Sequence, residues 1–205
     1  MIVLALDTTG ADCSVAVYDG NTNRILGSYL KTLGRGHAEH LIHAIDCALK
    51  SSAIDITQID RIVTSLGPGS FTGVRVSIAA ARGLSLCLNR PSFGVGNLEV
   101  LACSYLDVNS SRPVMVLVNM LFEKFCFQIF SKSAVPLSDP ILINYDQACY
   151  EIKIFEGEII GSGFDAINGI KGEDYYFPMD VLARLGMGKT ENSPSPIYLR
   201  RPCTI

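Results

Sequence analysis

The hydrophobic period switches once, early in the chain, and that switch narrows the fold more than any other feature. Residues 2–6 form a compact apolar run, closed by the turn formers Asp7-Thr8-Thr9-Gly10-Ala11-Asp12. Residues 13–18 are apolar again, Asp19-Gly20-Asn21 turns the chain, and residues 24–29 can form a third strand. Short apolar runs joined by polar turns read as an antiparallel meander. Then Ala38, Leu41, Ile42, Ile45, Ala48 and Leu49 recur at i, i+3, i+4 and i+7, which predicts a helix over residues 37–51.

The pattern continues as alternating strands and helices. Residues 61–66 read as a strand, followed by a Gly/Pro loop. A second helix is predicted over residues 71–88, with Ser70 as its N-cap and Pro91 just past its end. Residues 92–96 give a short strand and 97–105 a short helix. The polar stretch 107–113 marks a boundary, so the reading is a lobe over 1–108 and a smaller lobe over 109–205, with the tail packing back on the first. After the boundary the plan restarts, with strands at 114–118, 125–130 and 141–143 and a break at Asn119. Short strands at 152–155 and 158–160 lead into Gly161-Ser162-Gly163, and a helix over 175–185 is entered through Pro178. This repetition in pattern reads as an internal duplication. Two lobes, each a mixed sheet opening with a three-strand meander, fit the α/β, two-lobed actin-like ATPase architecture, built on the ribonuclease H-like plan. A fold of that class does not by itself give a function.

Composition narrows the function classes. Of 205 residues, 48% are hydrophobic and 18% charged, and the net charge is −3. Apart from the pair Arg200-Arg201 there is no Lys/Arg cluster, so the chain lacks the footprint of an autonomous nucleic-acid binder. Any nucleic acid would have to be reached through a partner. The low charge fraction and mean hydropathy of +0.30 fit a large core, or a core plus apolar surface kept for a partner. The opening residues lack a basic segment, which argues against a signal peptide, and no stretch is expected to span a membrane. Seven cysteines, at 13, 47, 87, 103, 126, 149 and 203, include no C-x-x-C pair. Reduced, mostly buried thiols in a cytoplasmic protein are the expectation.

The loop Gly67-Pro68-Gly69-Ser70-Phe71-Thr72-Gly73 lies between a predicted strand and helix, where backbone N–H groups could hold an anion. It is not a P-loop, because no Gly-Lys-Ser/Thr follows at the right offset, nor a dinucleotide fingerprint, because position 72 is Thr. Ser70 lacks the spacing of a nucleophile elbow. Histidines occur only at 37, 40 and 43; His37 and His40 share a helix face, while His43 turns away from His37. No H-E-x-x-H pattern is present, so no metal site is expected there.

The run from Gly67 to Arg75, continuing Val76-Ser77-Ile78-Ala79-Ala80-Ala81-Arg82-Gly83-Leu84, is similar to the central motif of the TsaB (YeaZ) family. The opening 2–9 followed by Cys13-Ser14-Val15-Ala16-Val17, and the closing Pro196-Ile197-Tyr198-Leu199-Arg200, resemble that family's two ends. The family looks like a degenerate relative of the transferase TsaD and of glycoprotease-type proteins. TsaD-like enzymes carry an H-x-x-x-H metal pair after this helix; Asn97 and Leu101 stand at those positions here. An amide and an aliphatic chain cannot form such a site, so the resemblance implies no catalytic residue, no metal and no cofactor. The implied role is a scaffold or activator that binds a TsaD-type transferase and, with it, a TsaE-type ATPase, for threonylcarbamoyl transfer to the adenosine beside the tRNA anticodon. Alone, the chain would pair with a second copy.

Two sets of residues carry the expected sites. The resemblance implies a partner surface on the two N-lobe helices, here His40, Ala44, Cys47, Val76, Ala79, Ala80, Gly83 and Cys87. The second helix reads as apolar or small nearly all round, as if covered on both sides. ATP or ADP is expected only at a composite site with partners, through Asp7, Thr8, Thr9, Gly69 and Ser70. The second-lobe counterpart, Asn119-Met120-Leu121-Phe122-Glu123, lacks the glycine and the Asp-x-Arg expected of relatives. The rival readings are a metal-dependent glycoprotease-like peptidase, an ATPase or sugar-kinase-like enzyme, and a self-contained dimeric chaperone.

Overall fold

The computed structural model describes residues 1–108, 111–120, 124–170, 177–190 and 193–199. Its first sheet is built from β1 (Ile2–Asp7), β2 (Asp12–Asp19), β3 (Arg24–Thr32), β4 (Arg61–Ser65) and β5 (Ser92–Val95), in the order β3-β2-β1-β4-β5. β2 is antiparallel to both β1 and β3, whereas β4 runs parallel to β1 and to β5. This is the ribonuclease H-like order expected from a meander continued by parallel crossovers. β1 and β2 are near-continuous apolar runs because both faces of the sheet are covered. On one face Leu4, Leu6, Val15, Val17 and Ile62 pack with Leu41, Ala44, Ile45 and Ala48 of α1 (His37–Ser52) and Ala81 of α2 (Phe71–Leu88).

Both helices end where local chemistry ends them. α1 closes on Ala53 and α2 on Asn89, each in the left-handed conformation at φ 54° and 52°. At the start of α2, the Ser70 side chain accepts from Gly73 N, as the sequence predicts.

The second sheet has the order β8-β7-β6-β9, from β6 (Val114–Met120), β7 (Lys124–Phe130), β8 (Ile141–Asn144) and β9 (Glu158–Ile160). Its meander plus parallel β9 repeats the pairing of β3-β2-β1-β4. The helix between β8 and β9, α4 (Tyr145–Ile154), then stands where α1 stands in the first half. The strand predicted at 152–155 is therefore wrong: those residues close α4, whose start is fixed by an Asn144/Gln147 capping box. α5 (Ser162–Ile167) follows β9, and α6 (Met179–Gly188) follows Pro178; Tyr175 and Tyr176, where a helix start is predicted, lie outside the described residues.

The chain divides into compact units at different places from the predicted 108/109 boundary. One unit is Met1–Asn97 with Pro178–Ile197, the other Leu98–Phe177 with Tyr198–Ile205. The polar stretch 107–113 does not separate the units, because Leu98, Ala102 and Leu106 of α3 (Asn97–Leu106) share one core cluster with Val114 and Val116 of β6. In the first unit α6 covers the sheet face opposite α1 and α2: the backbone of Gly186 lies so close to Val63 that a Cβ there would overlap it. The Arg61 guanidinium donates to the carbonyls of Gly186, Met187 and Lys189 at 2.8–3.1 Å, a cation at the helix's negative end.

By length and composition α2 meets the criterion for crossing a membrane, contrary to the expectation from sequence. Core helices of globular proteins pass the same test. Here α2 buries Val74, Ser77, Ile78 and Ala81 and carries Arg75 and Arg82 on its exposed side.

Candidate functional site

The end of β1 and the loop before α2 form one continuous polar knot. Ser70 N donates to Thr9 O at 2.7 Å, and Thr8 Oγ1 donates to Gly73 O at 2.6 Å. Thr9 donates twice to Asp7 Oδ1, from its hydroxyl at 2.7 Å and its amide at 3.2 Å, and the Ser65 hydroxyl donates to the same oxygen. The glycines make the close approach possible. A Cβ on Gly73 would stand 1.9 Å from Thr8 O, and one on Gly69 2.6 Å from Thr9 O.

Asn97 is the centre of this knot. Its Nδ2 donates to Thr9 Oγ1 at 2.6 Å and to Pro68 O at 3.2 Å, while its Oδ1 accepts from Gly67 N at 3.0 Å. Its own amide donates to Gly67 O at 2.8 Å. Ile197 N donates to Leu66 O at 3.1 Å, so the tail segment is stitched beside the same loop. Sequence reasoning identified Asn97 only by what it is not. Its actual role depends on partners far away in the chain, which no local pattern reveals.

The structure thus gathers Asp7, Thr8, Thr9, Gly69 and Ser70; the first three are sealed, whereas Gly69 is half-buried and Ser70 is exposed. Asp7 is 3% exposed, Thr8 0% and Thr9 5%. The polar side-chain atoms of Asp7, Thr8 and Thr9 bond one another or neighbouring backbone, and the glycine backbone packs onto them. Burial pushes the Asp7 carboxyl above its ordinary range, against the opposing pull of hydrogen bonds from Ser65 and Thr9 and of nearby His37. His37 Nε2 is itself buried without a hydrogen-bond partner.

The expected partner surface divides into buried and exposed residues. Ala44 is fully buried in the core between α1 and the sheet, so it is not a surface residue; the helical period turns it inward with Leu41 and Ala48. Val76 and Ala80 are half-buried against that core. Ala79, Gly83 and Cys87 are exposed and, at i, i+4 and i+8, continue a ridge begun by Phe71 and Arg75. Phe71 is 65% exposed, with the Arg75 guanidinium 3.7 Å above its ring. The helix is therefore covered on one side only, and its other side is small or apolar for much of its length. His40 and Cys47 are half-exposed on α1.

A duplicated sheet of this order, with α1 and α2 on one face of the first sheet, defines an α/β protein of the actin-like class. The comparisons refine that class. Residues 29–119 match the family model described as TsaD: tRNA N6-adenosine threonylcarbamoyltransferase. The chain is 34% identical over 118 residues to the tRNA threonylcarbamoyladenosine biosynthesis protein TsaB of Buchnera aphidicola (subsp. Schizaphis graminum), covering 58% of this chain and 55% of that one. It is 31% identical over 119 residues to TsaB of Escherichia coli K12, covering 58% of this chain and 50% of that one. The match thus spans about half the length of these curated relatives. The solved structure of YeaZ from Pseudomonas aeruginosa superposes with a TM-score of 0.77 at 22% identity, over 97% of this chain and all of that one, and shares the fold. Over somewhat more than half of its length the chain is thus similar to TsaB proteins, and it shares the fold of YeaZ.

Proposed function

We propose that this chain is a non-catalytic subunit in tRNA threonylcarbamoyladenosine formation, a scaffold or activator that binds a TsaD-type transferase. With that partner it engages a TsaE-type ATPase, and tRNA is met only through the complex. The observation that carries this reading is Asn97. Where a TsaD-like enzyme places the first histidine of its metal pair, this chain uses an amide whose three side-chain bonds hold its own loop shut. The second position, Leu101, belongs to a hydrophobic cluster. Leu101 has no donor atom and Asn97 already uses both its amide atoms, so no step is assigned to a metal.

The surface that supports partner binding is the exposed ridge of α2, from Phe71 through Ala79 and Gly83 to Cys87. Small residues let a second helix approach closely, and the apolar neighbours supply area to bury. When no transferase is present, the same ridge pairs two copies of the chain.

Co-expression with a TsaD-type partner and purification on one tag tests the proposal. A stoichiometric complex is expected, and Gly83→Arg or Ala79→Arg should abolish it. Failure of the wild-type chain to co-purify, or metal-dependent transferase activity by the chain alone, would sink the proposal.

A further inference from the structure

The C-terminal end of α2 borders an open cavity of about 590 Å³ that the proposed function leaves unused. Arg82, Ser85, Leu86 and Asn89 line it at i, i+3, i+4 and i+7, so one face of the helix end supplies a whole wall. Arg90 and Pro91 extend that wall where the chain leaves the helix for β5. Ser193, from the segment after α6, lines the cavity too. Every one of these residues belongs to the first unit.

Local chemistry fixes where the two arginines stand. Arg90 N donates to Ser85 O at 3.1 Å and Ser85 Oγ donates back to Arg90 O at 2.6 Å, so the backbone that bears Arg90 is pinned to the last turn of α2. Arg82 Nη2 donates to Ser195 Oγ at 3.2 Å, while Ser193 N donates to Ser92 O at 3.1 Å, so Arg82 and the returning segment hold one another. That bond uses one of the five N–H donors of the guanidinium. No Asp or Glu lines the cavity, and among the described residues neither guanidinium is in an ion pair. Arginines do complement the negative end of a helix, but that end carries only about half a charge, so two guanidiniums leave an excess of about +1.5. The chain as a whole is at −3, which makes this a local positive field against the general sign. Leu86, 85% exposed, and the half-buried Pro91 add apolar surface beside the charge. The volume lies within the range of small-molecule sites.

We propose that this cavity binds a small phosphate monoester with an apolar body, its phosphate held between Arg82 and Arg90 and its body against Leu86 and Pro91. Guanidinium forks match phosphate oxygens in pairs, which a single ammonium does not. A dianionic monoester neutralises the two guanidiniums more fully than a monoanionic diester, so the site discriminates against phosphates of the nucleic-acid backbone type. The inference is independent of the partner reading, because the isolated chain carries every group involved.

The test is titration of the nitrogen-15-labelled, full-length chain with phenyl phosphate, followed by nuclear magnetic resonance at constant ionic strength. Saturable shifts are expected at the amides of Asn89, Arg90 and Ser193 and at the Nε–H groups of Arg82 and Arg90, while Arg75, at the other end of α2, stays still. Arg82→Gln and Arg90→Gln should each weaken binding about tenfold, the loss of one charge-assisted contact, and Arg75→Gln should leave it unchanged. Both lining arginines are exposed, so neither substitution disturbs the core, and unchanged amide positions elsewhere verify that. Methyl phenyl phosphate, a monoanionic diester, and inorganic phosphate, which lacks the apolar body, should both bind more weakly than phenyl phosphate. Absence of saturable shifts in the wild type, equal binding of the diester or of inorganic phosphate, or binding untouched by Arg82→Gln and Arg90→Gln overturns the proposal.

Discussion

Asp7 and Asn97 make opposite contributions to the same knot. Asp7 is a buried carboxyl pushed above its ordinary range by loss of water. The unfolded chain therefore releases that proton more readily than the folded one. Stability from this group is fullest below the unfolded value, declines as pH rises toward the folded value, and is flat beyond it. Asp7→Asn removes the ionised form while keeping an oxygen for Ser65 and Thr9. Its melting temperature should exceed that of the wild type at pH 8, and the gap should close as pH falls into the carboxylate range. Paired melts across that range measure it; a gap that widens on acidification would reverse the assignment. Asn97→Ala acts the other way. It orphans the buried Gly67 amide and costs about 1–3 kcal/mol, read as a lowered denaturation midpoint with an unchanged slope.

Elements differ in how openly the sequence declares them. α2 was legible at both ends, because Ser70 caps it and Asn89 and Pro91 stop it. Its one-sided burial was not legible, since residues that are small or apolar all round do not say which side meets the sheet. The end of α4 was misread because Ile152-Lys153-Ile154-Phe155 alternates like a strand. The Asn144-x-x-Gln147 capping box was the signal that would have identified the helix. The site was half legible: that the Asp7–Thr9 and Gly69–Ser70 segments come together could be read from the sequence, but the amide that ties Thr9 to the loop belongs to Asn97, eighty-eight residues away. For α2 itself, Gly83→Arg has a distinctive signature. A Cβ at Gly83 meets nothing within 4 Å, and replacing a mid-helix glycine gains up to about 1 kcal/mol of helix propensity. The isolated variant should melt no lower than the wild type while losing its partner, separating an interface effect from misfolding.

At the scale of the whole molecule, the first unit is assembled from two pieces of chain, with Leu98–Phe177 of the second unit between them in sequence. α6 is its missing wall: the tight seat of Gly186 against Val63 and the three carbonyl contacts of Arg61 tie residues 186–189 to the sheet. A chain stopped after Phe177 should therefore lose cooperative melting of the first unit, as followed by near-ultraviolet circular dichroism. Adding Pro178–Leu199 back by ligation should restore it. The same interruption imposes an order on biosynthesis. A ribosome delivers residues 98–177 before α6 exists, so the strands of the second unit can all pair while the sheet begun at the N-terminus still has one apolar face bare. The part of the protein translated first is thus the last to be closed. During that interval its exposed strands are the segment most in need of protection from neighbouring nascent chains.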